Sequence, residues 1–194
     1  MGPVAAEVTR FFARRGADAS RAADEALDGE RYLALLDAID ALLADPPLTP
    51  AAGTPARVLL PTAVAKAVKR ADRALREADA RPPGSERDEH LHEMRKAAKR
   101  LRYAAEALRP VRPRRAKRLV EHVKAVQDLL GEHQDSVVAR GLMRELGAAA
   151  TAEGGNGFAF GWLMRDEQAH AERVEAELDP AWANLRRRAR KLTG

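Results

Sequence analysis

Residues 91–108 read LHEMRKAAKRLRYAAEAL, and two interleaved patterns in this stretch decide the fold. Leu91, Met94, Ala98, Leu101, Ala105 and Leu108 recur at alternating steps of three and four, which lines one face of an α-helix with apolar groups. Leu119, Val123, Val126 and Leu130 repeat the pattern further along. Both stretches predict helices that bury one seam in a bundle. Strand-length runs of β-branched residues are absent, aromatic residues make up only 4%, and alanine is abundant. Helix is therefore favoured along the whole chain, and the fold class is all-α.

Breakers divide the 194 residues into segments: Asp28-Gly29, Asp45 to Pro50 with Gly53, Arg81 to Gly84, Pro110 with Pro113, and Gly154-Gly155-Asn156-Gly157. Between them the sequence predicts helices at 4–27, 30–44, 55–79, 86–109, 112–147 and 157–178, with a short further helix from Pro180 to Arg190. Gly131 is expected to kink or split the fifth. The linkers are short enough for antiparallel neighbours. The last four long segments, within residues 54–194, are thus expected to form a four-helix bundle, with the helices of residues 1–48 beside it. No internal repeat supports the alternative of an α-solenoid.

Charge is strongly segregated. The chain carries a formal net charge of +5, yet residues 54–118 alone sum to +11, while residues 1–45 and 119–179 are acidic. His92, Arg95, Lys99 and Arg102 are spaced three, four and three apart, so they form one line beside the apolar seam, about 15 Å long at 1.5 Å per residue. Like charges at these spacings repel by a few tenths of a kcal/mol per pair. Such a row invites a ligand with phosphate oxygens in series, because a guanidinium binds them through two parallel hydrogen bonds. The competing reading is a solvated face, or ion pairing to Glu121, Asp128, Glu132 or Asp135.

Other chemistry finds little support. There are no cysteines, hence no disulfides, thiolate metal sites or cysteine nucleophiles, which suits a reducing, cytoplasmic setting. No apolar run is long enough to span a membrane. His90 and His92 stand two apart, on different sides of a helix, and HEMRK lacks the second histidine of a zincin helix, so no metal site and no cofactor are expected. Walker loops, nucleophile elbows and paired catalytic carboxylates are also missing from the sequence, and the expectation is a protein that is not an enzyme.

The segment at 91–108, with LVEHVKAVQDLLGEHQDSVVAR at 119–140 and FAFGWLMRDEQAHAERVEAEL at 158–178, resembles the CHAD family, the conserved histidine α-helical domain. The likeness rests on His-x-x-Arg-x-x-x-Lys-x-x-Arg-Tyr followed by Gln-Asp-Leu-Leu-Gly-Glu-His-Gln-Asp. It implies a helical domain that binds inorganic polyphosphate, often joined to a CYTH-type triphosphate domain and often associated with polyphosphate granules. By the same resemblance the anion-binding helix falls on His92, Arg95, Lys99 and Arg102, with Tyr103 packed beside them. Lys124 would face the same groove from the next helix, and Lys96 and Lys117 would make outer contacts. His133 and Asp135 are expected to hydrogen-bond at a helix break.

The family's full domain has two related halves, each with its own His-x-x-Arg helix, and residues 1–50 contain no such motif. Residues 1–48 resemble the last helices of the first half and 54–194 the second, so a second copy or another half-domain is an expected partner, with an exposed apolar seam near residues 4–44. Two further functional classes fit the charge. One is a nucleic-acid binder using the central block and the Arg186–Lys191 tail, although Tyr103 is the one aromatic in that block available for base stacking. The other is an accessory to a triphosphate-hydrolysing enzyme.

Overall fold

The computed structural model describes residues 2–193, with side chains described over 4–191. Among the described residues there are six α-helices and no strand: α1 (Gly2–Leu27), α2 (Glu30–Ala44), α3 (Ala56–Asp79), α4 (Ser85–Ala107), α5 (Pro113–Ala152) and α6 (Phe158–Thr193), with one 3₁₀ turn at Pro50–Gly53. The all-α class follows directly. The chain divides into two compact units, Met1–Gly53 and Thr54–Gly194.

In the second unit α3 packs on α4, α4 on α5, α5 on α6, and α6 returns against α3. The seams read from the sequence form its core. Leu91, Met94, Ala98, Leu101, Ala105 and Leu108 meet Leu119, Val123, Val126 and Leu130, closed by Val64, Ala71 and Leu75 of α3 and Leu178, Trp182 and Leu185 of α6. Each fully buried Leu or Val contributes about 1.5–3 kcal/mol relative to exposure. In the first unit α2 contains no buried residue, and Leu33, Leu36, Ile39 and Leu43 of its apolar stripe stand exposed, as does Phe12 of α1.

Two expected helix breaks do not occur. α5 runs unbroken through Gly131, and positive φ is confined among the described residues to Gly84 and Gly154. Glycine in a helix interior costs only about 1 kcal/mol. Beyond Gly131 the core phase continues through buried His133 and Ser136, which keeps the helix continuous across it. α6 likewise runs through Pro180 instead of restarting there. Proline removes one backbone hydrogen bond, at about 3 kcal/mol, but Ala171, Val174 and Leu178 before it and Trp182, Leu185 and Ala189 after it keep one buried face. Several buried side chains outweigh one lost bond. The indole Nε1 of Trp182 also donates to Asp72 Oδ1 of α3 at 2.7 Å, tying the segment after the proline to the bundle.

The α5–α6 connection does need glycine. Gly154, at φ 78°, ends α5 with Gly155 N donating to Ala150 O at 2.8 Å and Gly154 N to Thr151 O at 3.1 Å, a Schellman closure. A Cβ on Gly157 would lie 2.8 Å from Gly147 O, so the backbones meet where only glycine fits.

Candidate functional site

The cation line on α4 keeps its helical geometry. His92 Nδ1 donates to Gln134 Oε1 of α5 at 2.7 Å, which puts the line on the side of α4 that borders α5. A five-residue connection makes these two helices antiparallel, so with residue 92 level with 134, Arg102 lies level with Lys124. Lys117 and Lys124 are both exposed on α5, seven residues and about two turns apart. Cations thus occur at matching levels on the two neighbouring helices.

The charges of this line are not consumed internally. Arg95 and Lys99 have no ion-pair partner among the described residues. Arg95 Nε and Arg102 Nε are buried without a hydrogen-bond partner, as are Arg81 Nε and Arg140 Nε, but the latter two belong to guanidiniums that pair with carboxylates. Arg102 reaches Glu106 only at 3.5 Å and lies over the ring of Tyr103, 5.0 Å from its centre. Lys96 pairs with Glu93 at 2.5 Å, and this contact holds the exposed Glu93 carboxyl below its usual range. The four acidic residues of α5 that might have neutralised the line make no ion pair to it. Of the seven residues singled out, Lys96 alone is tied to a carboxylate at close range.

A cavity of about 560 Å³ lies past the N-terminal end of this line, lined by Ser85, Asp88, Glu89, His90, His92, Glu93, Gln134 and Val137. Three carboxylates give it the wrong sign for an anion.

One constellation is invisible in a reading of the cation line. Buried His133, 2% exposed, places Nε2 3.1 Å from Glu175 Oε1 and 3.3 Å from Asp88 Oδ1. Arg140 pairs with Asp88 Oδ2 at 3.0 Å and also contacts Gln168, while Arg87 pairs with Glu175 Oε2 at 2.7 Å and donates to Ala78 O at 2.7 Å. Burial pushes the Glu175 carboxyl up, but hydrogen bonds from His133 and Arg87, with the charge of Arg87, outweigh it and hold the group below the ordinary glutamate value. Burial opposes the charged form of Arg87, and Glu175 and Asp79 together overcome it.

Asp88, His133 and Glu175 are, among the described residues, the group whose ligand atoms lie close enough to share a cation. The second oxygens of both carboxylates, however, already face guanidiniums, so the cluster acts as an interhelical clasp of α4, α5 and α6. The expectation that His133 hydrogen-bonds is met, but inside a continuous helix and not at a break, and Asp135 is exposed. The signal was the core phase itself: extending the seam of α5 past Leu130 lands on His133 and Ser136, whose hydroxyl donates to Glu167 Oε2 at 2.6 Å.

Residues 2–144 match the model of the CHAD domain, a span that includes the whole of the α4 line and both lysines of α5. Two curated proteins of Mycobacterium tuberculosis, the uncharacterized proteins MT2285 (strain CDC 1551 / Oshkosh) and Rv2226 (strain ATCC 25618 / H37Rv), are each 37% identical over 166 residues. The match covers 86% of this chain and 31% of each relative, so the chain spans about a third of their length. No solved structure matches significantly. None of the helices in the described residues is long and apolar enough to cross a membrane. With the family model covering most of the sequence and the helix that carries its motif, the chain belongs to the CHAD domain family.

Proposed function

We propose that this chain binds inorganic polyphosphate without catalysing its turnover, through His92, Arg95, Lys99 and Arg102 of α4, with Lys124 and Lys117 on the opposite wall and Lys96 outside. The observation that carries the reading is the uncompensated centre of the line: Arg95 and Lys99 have no carboxylate partner among the described residues. Arginines placed for stability would be paired, as Arg87 and Arg140 are. A flexible chain of phosphates lying in the α4–α5 groove meets a cation at each helical turn and gains bidentate contacts.

A CYTH-type triphosphate domain or another half of the domain is the partner this role calls for, with polyphosphate granules as the place of action. Family membership and the greater length of the curated relatives favour this arrangement. The exposed apolar stripe of α2 offers a surface for the second half.

The test is a titration with long-chain polyphosphate of the wild type and of the double variant Arg95→Glu, Lys99→Glu. At least a tenfold loss of affinity is expected, along with a steep loss with salt in the wild type. Unchanged affinity removes the site. A duplex DNA competitor in the same titration separates the nucleic-acid reading, which requires DNA to displace polyphosphate at comparable phosphate concentration.

A further inference from the structure

The basic tail of α6 does not fray away from the bundle. Arg188 Nε donates to His122 Nε2 of α5 at 3.2 Å, and Arg115 of α5 donates to the carbonyl of Lys191 at 3.1 Å. These contacts draw the start of α5 and the end of α6 together around a groove of about 390 Å³ lined by Arg115, Arg118, Arg188 and Lys191. A smaller adjoining hollow of about 170 Å³ adds His122 and Arg187. Among the described residues, every one that lines the larger groove is a cation.

Arg118, Arg188 and Lys191 have no carboxylate partner among the described residues. The groove also opens beside the first turn of the 40-residue α5, whose free N–H groups add positive potential. From the wheel of α5, Arg115, Arg118 and His122 lie on the flank toward α6, whereas Lys117 and Lys124 lie on the flank toward α4. The two cationic grooves are thus separated by the width of α5.

We infer that the α5–α6 groove is a second and independent anion site, which takes a compact oligophosphate of about three phosphoryl groups. The size follows from the lining. Four cations around one short groove call for several negative charges within a few ångströms of each other, which a single carboxylate does not supply and a triphosphate chain supplies in one molecule short enough for the groove. Arg118 and Arg188 would grip it from opposite walls, and Lys191 and Arg115 close its ends.

The test uses tripolyphosphate and isothermal titration calorimetry on the 194-residue chain carrying Arg95→Glu and Lys99→Glu, so that the α4 line contributes nothing. Tripolyphosphate is expected to bind this variant. Adding Arg118→Glu and Arg188→Glu is expected to weaken binding at least tenfold with the far-ultraviolet circular dichroism retained; the neutral pair Arg118→Gln and Arg188→Gln replaces them if the reversed pair unfolds. Absence of binding to the first variant overturns the inference, and so does a loss smaller than tenfold in the second. Failure here leaves the long-chain titration on α4 untouched, because that experiment reads a different ligand and a different pair of residues.

Discussion

If the α4 line exists for a ligand and not for the fold, reversing its central charge should stabilise the free protein. Lys99 has three cationic neighbours at helical contact spacing: Arg95 four residues before it, Lys96 three before and Arg102 three after. Each like-charge pair costs about 0.2–0.5 kcal/mol and each opposite pair returns a similar amount. Lys99→Glu changes the sign of all three, so the expected gain is about 1–3 kcal/mol at low ionic strength. Lys99 is exposed and makes no ion pair among the described residues, so nothing is broken by the change. In a domain of this size the gain corresponds to a rise of about 2–4 °C in Tm per kcal/mol. Urea denaturation at 20 mM salt measures it directly, and repetition at 1 M salt should shrink the gain because screening removes the repulsion. Saturating polyphosphate should narrow or reverse the gap, since a ligand at a hundred times its Kd adds about 2.7 kcal/mol to the wild type and less to a variant that binds it more weakly. A variant that is less stable than wild type at low salt would refute the reasoning, for it would mean that Lys99 is held by a compensating interaction.

Two further outcomes probe the frame that holds the site. Glu175 has its carboxyl held below the ordinary value of 4.5, so its contribution to stability is present above that value and is lost as pH falls through the lower folded value. The stability difference between wild type and Glu175→Gln in urea should therefore be largest near neutrality and narrow below pH 4.5; a constant gap would mean that charge at this position is irrelevant to the clasp. Pro180→Ala should restore a backbone hydrogen bond within α6 and raise stability by about 1–3 kcal/mol. Loss of stability in calorimetry would mean that the proline sets a bend on which the packing of Trp182 depends.

The helices and the core were legible because the seam of Leu91 to Leu108 and that of Leu119 to Leu130 obey a helical period that only burial explains. The two breaks expected at Gly131 and Pro180 failed for a common reason: both residues carry local penalties of a few kcal/mol at most, and tertiary burial of the same helical face on either side exceeds them. The cation line was legible because its members lie within eleven residues on one helix. The clasp of Arg87, Asp88, His133, Arg140 and Glu175 was not, because it is assembled from three helices with gaps of about forty residues, and single charged residues at those positions look like ordinary surface. The α5–α6 groove was hidden for the same reason, compounded by the location of half its lining in a terminal basic run that reads locally as a fraying end.

The antiparallel path of α4, α5 and α6 explains how one chain carries both paired and unpaired charge. α4 leaves the clasp at Asp88 and reaches the cation line by Arg102; α5 starts among cations at Arg115 and reaches the clasp at His133 and Arg140; α6 leaves the clasp at Glu175 and ends among cations at Lys191. Each traverse carries the chain from one end of the bundle to the other. Acidic and basic side chains that meet at the clasp end are mutually neutralised, whereas the other end collects the surplus of positive charge from all three helices with few carboxylates to oppose it. Repulsion within that surplus is tolerable only because the clasp and the apolar seam hold the helices together from the opposite end and the centre. The bundle thus separates paired from unpaired charge by topology: on the proposed reading, a mutation at the clasp should lower stability with little effect on anion affinity per folded molecule, while reversing a cation of the line should weaken anion binding and relieve repulsion in the free protein.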